Sequence, residues 1–278
     1  PYTEQFWRLP CTALSSRTIP SHTRLSFMHA LKLLFRKKVS EDKKSLMERE
    51  KMPTYYPKTG YGEISQRLAR SFVEAGGKLY LQTRIQGLRL HGEGIQLISG
   101  VSEIQKEHGF DEVISTLPLS ALMGMMEPMA PSEVLVAARE LWYRPLLVLG
   151  LMTSRRNILG CQYVYYLNRP YNRISEMTQF SEGTCPPGGN VLSLEIPCTP
   201  QSREWYMSRE ELFRHCLGSL ERDGIIGKQD VAGLMLIKSR YAYPIYRIGY
   251  KSYLEKVLHF IDQIPGLHTL GRLGEFRY

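Results

Sequence analysis

Three groups of residues have types and spacings suited to chemistry. Gly60-Tyr61-Gly62 opens a helical pattern, as the backbone cradle of a dinucleotide pyrophosphate does. Arg169 and Arg173 follow the pair Tyr165-Tyr166, which sets two guanidinium forks, able to grip a carboxylate or phosphate at two points, beside aromatic rings. The stretch RYAYPIYRIGY adds Tyr243 and Tyr246. Tyrosines alternating along a strand also pack across strands with no ligand involved, and arginines also solvate surfaces. The seven histidines are dispersed, GTCPPGG forms no nucleophile elbow, and the sequence assigns no catalytic residue.

The glycine cradle fails its own test. Ser65 stands where the third glycine belongs, Pro53 and Pro57 bracket a run too short and polar for a central strand, and no acidic residue closes the next strand-like stretch. What remains is a turn feeding a helix. Ile64, Leu68, Phe72 and Val73 recur at helical spacing, Glu63 lies in the first turn, and Gly76-Gly77 supplies a left-handed stop.

Elements follow in order. SHTRLSFMHALKLLFRKK reads as a helix capped by Ser21. Leu79, Leu81, Thr83 and Ile85 alternate with polar neighbours as one face of a strand, Gly92 and Gly94 turn it into a hairpin, QKEHGFDE reads as a polar connection, and Val113–Thr116 is a short strand broken by Pro118. Beyond Pro131 a helix, SEVLVAAREL, leads to the strands RPLLVLGLMTS, QYVYYLN, RISEMTQFS and NVLSLEIPC. Ser208 with Glu211 makes a capping box for a helix ending at Gly224; a strand through RYAYPIY and a helix SYLEKVLHFIDQIPG complete the chain. The fold class is α+β: a mainly antiparallel sheet with helices, interleaved with a second body.

Composition bounds the partners. The chain has 278 residues, enough for a large core, and a formal charge of +9. Its densest basic run, Leu34–Lys51, alternates with acids as a solvated face does, so no nucleic acid is expected and a small anionic substrate accounts for the excess as well. No apolar run reaches the ~20 residues of a membrane span. Five scattered cysteines without C-x-x-C point to reduced thiols in the cytoplasm and to no metal.

The segments YPKTGYGEISQRLARSFVEAGGKLYLQTRIQGL, DEVISTLPLSAL, RYAYPIY and LHTLGRLGEFRY, with PYTEQFW and YNRISEMTQFS, resemble in order of appearance the flavin-dependent amine oxidase superfamily, especially its protoporphyrinogen-oxidase-like and UDP-galactopyranose-mutase-like members. The resemblance implies FAD, bound in the complete protein by an upstream glycine-rich unit and not retained by this stretch alone. It implies substrate-domain helices over 1–52, part of an FAD-binding domain over 53–125, a substrate domain over 126–250 and a return to the FAD side over 251–278.

Carried over by residue, Gly60 and Tyr61 become a later loop approaching the flavin, and Arg84 and Ile85 contact the adenine or ribose end. Thr116 and Leu117 end a strand beside the cofactor, and Gly271, Arg272, Gly274 and Phe276 run past the flat ring, where small residues admit backbone. Each has a plainer reading: Ile85 as core, Thr116 as a strand exit, Gly271 as a turn. Tyr166, Arg169, Arg173, Tyr243 and Tyr246 would serve an anionic substrate, with Tyr166, Arg173 and Tyr243 converging on one concave surface. The implied activity is FAD-dependent hydride abstraction. A flavin-dependent nucleotide-sugar mutase and a non-catalytic binding module are the alternatives.

Overall fold

The computed structural model describes residues 2–18, 55–91, 94–101 and 104–277. The helix expected from Ser21 lies outside them.

Strand β6 (Tyr143–Thr153) is the spine of a five-stranded antiparallel sheet ordered β10-β6-β9-β8-β7, with β7 Tyr163–Tyr165, β8 Arg173–Glu176, β9 Asn190–Pro197 and β10 Gly233–Pro244. Alternation divides its residues between two faces. Leu147, Leu149, Leu151, Leu192, Leu194 and Ile174 point to one side, where Leu212, Phe213, Cys216 and Leu220 of a helix over Arg209–Arg222 cover them. That helix starts at the expected capping box: Glu211 N–H donates to Ser208 Oγ, and Ser208 N–H donates to the Glu211 carboxylate at 2.8 Å. The other face is covered at its Arg144–Leu146 end and, among the described residues, open beyond it, where Met152, Tyr163, Tyr165, Met235 and Ile237 are each more than 40% exposed.

A second core gathers four strands ordered β3-β2-β1-β5, namely β1 Ile85–His91, β2 Gly94–Val101, β3 Ile104–Phe110 and β5 Met126–Glu127. Leu88 and Ile95 meet the helices Leu119–Gly124, Ser132–Glu140 and Tyr250–Asp262 there, together with Phe276. Two sequence readings change here. The polar QKEHGFDE contributes β3, an edge strand whose charged, exposed side chains suit an edge. The alternating Leu79–Thr83 stretch is no strand: pairing begins at Ile85, and Leu79, Tyr80 and Leu81 are 48–75% exposed because no described strand lies beside them.

The helix Gly62–Glu74 (α2) forms as its periodicity predicts, with Glu63 in the first turn, yet buries none of its residues. Ile64, Leu68, Phe72 and Val73 lie 46–66% exposed, so this helix does not pack on the C-terminal segment as the interleaved arrangement had suggested. The strand beyond it does: Leu88 shares a core with Val257 and Ile261.

One feature joins distant parts of the chain. β4 (Val113–Ser115) and β11 (Leu267–Thr269) pair in parallel, with Leu267 opposite Val113 and Thr269 opposite Ser115. Both strands therefore end at the same place, and ligands of parallel sheets bind beyond such carboxyl ends.

Candidate functional site

The site is built outward from those two strand ends. β4 runs into Thr116 and Leu117, and β11 into Leu270 and the short helix Gly271–Gly274 (α8). Leu270 N–H donates to Ser115 O at 2.9 Å, which fastens the two exits together. A Cβ on Gly274 would stand 2.9 Å from Ser115 O, and only glycine lets α8 lie this close to the β4 backbone. Gly271 has φ +82, a region that L side chains avoid, and a Cβ there would meet no atom within 4 Å. The result is a ledge formed by Thr116, Leu117, Gly271 and Arg272, exposed on its outer side and bare of side chain at Gly271.

Tyr143 locks this ledge from below. Its hydroxyl donates to Leu273 O at 2.8 Å and accepts from Leu119 N–H at 3.0 Å, tying α8 to the helix that follows Thr116 and Leu117. Burial raises the phenol pKa well above its usual value, so it remains a donor throughout the physiological range.

Beside the ledge stands a stack of cations and rings. The Arg144 guanidinium lies 3.9 Å from the Phe6 ring centroid and 5.1 Å from that of Tyr243, and Arg272 lies 5.2 Å from Tyr243 on its own account. Phe6 comes from the helix Tyr2–Trp7 (α1), which brings the start of the chain against β6 and β10. Arg144 is 1% exposed and also donates to Phe6 O. Sequence reasoning missed it. Its signal was an arginine in the apolar strand run YRPLLVLGL, a place where a charge persists only if held.

The residues singled out from the sequence part company. Thr116 and Leu117 meet Gly271 and Arg272 at the ledge. Phe276 does not face it: the ring is 1% exposed, in contact with Tyr143, Tyr246 and Tyr250 at centroid distances of 5.1–5.9 Å, and is core. Tyr246 stacks on Tyr250 at 4.7 Å in the same cluster. Gly60, with φ +98, and Tyr61 belong to a turn held against the antiparallel sheet; Ser181 Oγ donates to Lys58 O at 2.7 Å, and Tyr56 packs 5.1 Å from Phe180. The helix N-terminus there is matched by its own Glu63, which accepts from Thr59 Oγ1 at 2.7 Å. Arg84 and Ile85 lie at the start of β1, where Arg84 O accepts from Gly100 N–H at 3.2 Å.

Both predicted anion clamps are already engaged. Arg169 grips Asp223 with two hydrogen bonds of 2.6 Å, holding that carboxyl below the usual range, and Arg173 is bound to Glu195. Pairing carries Ile237, Val148, Glu195, Arg173 and Tyr165 in one row across the open face. By alternation along β6, Arg144 and Tyr243 belong to the same face. Tyr166 does not: its ring meets Tyr171 edge-on at 5.2 Å in the core beneath the other face, so Tyr166 is separated from Arg173 and Tyr243 because the sheet itself intervenes. The aromatic surface continues from Tyr165 through Tyr163 to Phe180, Tyr56 and Tyr61, each ring within 6.5 Å of the next.

Solved structures share this architecture. A reduced UDP-galactopyranose mutase superposes with a TM-score of 0.75 at 17% identity, covering 100% of this chain and 58% of that one. A putative protoporphyrinogen oxidase from Exiguobacterium sp. 255-15 gives 0.62 at 15% identity, over 78% of this chain and 47% of that one. A redesigned putrescine oxidase gives 0.53 at 12%, over 76% and 46%. The chain thus spans less than two thirds of each of these proteins. No protein of curated function matches it by sequence. The sequence pattern of the flavin containing amine oxidoreductases runs through residues 15–261, most of the chain, and this protein belongs to that family.

Proposed function

We propose that this chain supplies the substrate-facing sheet and one wall of the cofactor site of an FAD-dependent oxidoreductase acting on a small, anionic substrate. The observation that carries the reading is the ledge: two parallel strands ending side by side at Thr116 and Gly271, exposed, trimmed to backbone by Gly271 and Gly274, and next to the Arg272–Tyr243–Arg144–Phe6 stack. A flat ring fits such a ledge because nothing stands above Gly271. A diphosphate cradle is not found among the described residues, since the Gly60 turn is packed against Ser181 and Thr184. The ledge would thus hold the ring end of the cofactor only. FAD, when bound, supplies the capacity to accept a hydride from a substrate C–H or N–H bond.

The chain's own residues orient and select. The ledge backbone sets the distance of approach, and Tyr143 keeps Leu273 and Leu119 in register beneath it. Arg272 and the buried Arg144 give this corner a positive potential that draws the anionic end of a substrate, while Phe6, Tyr243 and Leu117 exclude water from the reacting end. The mutase alternative loses ground here, because Arg169 and Arg173, the forks a nucleotide diphosphate would use, are both taken by carboxylates. The five cysteines, all unpaired, fit the cytoplasm. No described helix is long and apolar enough to cross a membrane.

The test is visible absorbance. The complete protein should purify yellow, and Thr116→Trp, which fills the ledge from an exposed position, should purify colourless with an unchanged far-ultraviolet spectrum. A complete protein that carries no flavin and takes none up from solution would overturn the reading.

A further inference from the structure

A cavity of about 310 Å³ lies where α1, the start of β6, the exit of β9 and the bend of β10 meet. Four of its lining residues are arginines, Arg8, Arg139, Arg144 and Arg240, and none is an aspartate or glutamate. Trp7 and Trp142 supply aromatic walls. Four like charges around one small volume repel each other unless water or an anion intervenes. Arg8, Arg139 and Arg240 form no ion pair among the described residues. Arg8 spends its Nε and Nη2 on Pro197 O at 3.2 and 3.0 Å, a neutral partner that leaves its charge uncompensated. Of the acids on this side, Glu140 is already paired with Arg247 at 3.1 Å, and Glu204, which lies within electrostatic reach of Cys198, does not line the cavity. Burial holds the thiol of Cys198, a lining residue, up at about 11, with Arg144 and Arg8 pulling it down and Glu204 pushing it up.

We infer that this cavity is a binding site for a small organic anion, a carboxylate or phosphate joined to a flat apolar body, distinct from the ledge. The chemistry is that of guanidinium forks closing on oxygens while indole rings border the apolar body. The volume equals about ten waters at ~30 Å³ each, room for a single-ring ligand and too little for a dinucleotide. Arg144 is shared. It borders this cavity and also lies between Phe6 and Tyr243 beside the ledge, so an anion here sits one side chain from the proposed substrate. Anion binding in this cavity requires no flavin at the ledge.

Two of the three tryptophans line the cavity, which makes emission a direct readout. Phenyl phosphate and benzoate are titrated into the protein without flavin, with benzyl alcohol as the neutral counterpart, and melting temperature is followed in parallel. The anions should change tryptophan emission saturably and raise the melting temperature, more weakly as salt is added, while the alcohol does neither. In Arg139→Gln/Arg240→Gln, two exposed positions outside the core, the dissociation constant for the tighter anion should rise at least tenfold, with the melting temperature of the free protein no lower than the parent's because like-charge repulsion is relieved. Equal binding of the alcohol, an unaltered constant in the double variant, or no saturable response in either readout at millimolar ligand would overturn the inference. A preference between phenyl phosphate and benzoate identifies the anionic group.

Discussion

Gly274→Ala tests the ledge through the sign of a stability change. Alanine in place of glycine within a helix ordinarily stabilises by about 0.4–1 kcal/mol, because the unfolded chain loses freedom and helix propensity improves. Gly274 has helical backbone, so the same gain applies. Against it stands the carbonyl of Ser115, 2.9 Å from the new methyl, where ordinary contact begins near 3.4 Å. The carbonyl cannot turn aside, because it also accepts from Leu270 N–H at 2.9 Å. Either α8 or the β4 exit must shift by about half an ångström, an overpacking cost of about 1–3 kcal/mol. The net expectation is a loss of about 1–2 kcal/mol, or roughly 2–8 °C in melting temperature for a chain of this size. Gly218→Ala is the control: it lies within Arg209–Arg222, its Cβ would meet nothing within 4 Å, and it should gain the full 0.4–1 kcal/mol. Urea midpoints of the two variants and the parent, measured side by side, decide the matter. If Gly274→Ala moves the midpoint upward as Gly218→Ala does, the close approach of α8 to β4 is refuted, and with it the ledge.

Phe276→Ala removes a ring 1% exposed and should cost about 3–5 kcal/mol in urea denaturation, enough to unfold much of the second core. Arg173→Ala leaves Glu195, whose side chain is only 13% exposed, without its cation and should cost about 1–2 kcal/mol after allowing for partial solvation; adding Glu195→Gln should restore part of it, as a double-mutant cycle will show. Asp223 is held below the ordinary carboxylate range, first of all by its hydrogen bonds from Arg169, so its contribution is present above the unfolded carboxylate pKa and fades as pH falls through the lower folded one. Asp223→Asn should flatten the acid limb of the stability curve and leave its slope near neutrality unchanged. A thiol reagent at pH 8 should label exposed Cys11 and Cys161 quickly and spare Cys198 and Cys216, the latter pushed up to about 12 by burial; rapid loss of all five thiols from the folded protein would contradict the core.

What was legible in the sequence was local. β6, β9 and β10 announced themselves as apolar runs bounded by turn-formers, and the Arg209–Arg222 helix by Ser208 and Glu211, because one strand or one helix turn holds the whole signal. β3 was not, since an exposed edge strand needs no apolar residues. The site was legible only in halves. The exits at Thr116 and Gly271 were each recognisable through resemblance, yet their meeting is a matter of pairing across most of the chain. Arg169 and Arg173 were misjudged for a related reason: their carboxylates lie 54 and 22 residues away, so nothing nearby showed that the forks were occupied. Phe276 shares a motif with Gly274, and sequence could not say that one faces Ser115 and the other a cluster of tyrosines.

The parallel pairing of β4 with β11 has a kinetic consequence. Glu112, just before β4, and His268, within β11, touch at 2.6 Å and stand 156 residues apart, and the whole antiparallel sheet lies in the interval. A contact of such separation carries a large closure entropy until the interval has compacted, whereas the β1–β2 hairpin and the Arg209–Arg222 helix form from neighbours. The order of assembly should therefore run from hairpin and sheet to ledge, with the amides of Val113 and Leu270 the last to gain protection in pulsed hydrogen exchange. A ligand that bridges the two exits would act as a clasp on that slow closure, lengthening the lifetime of the native state more than it speeds its formation.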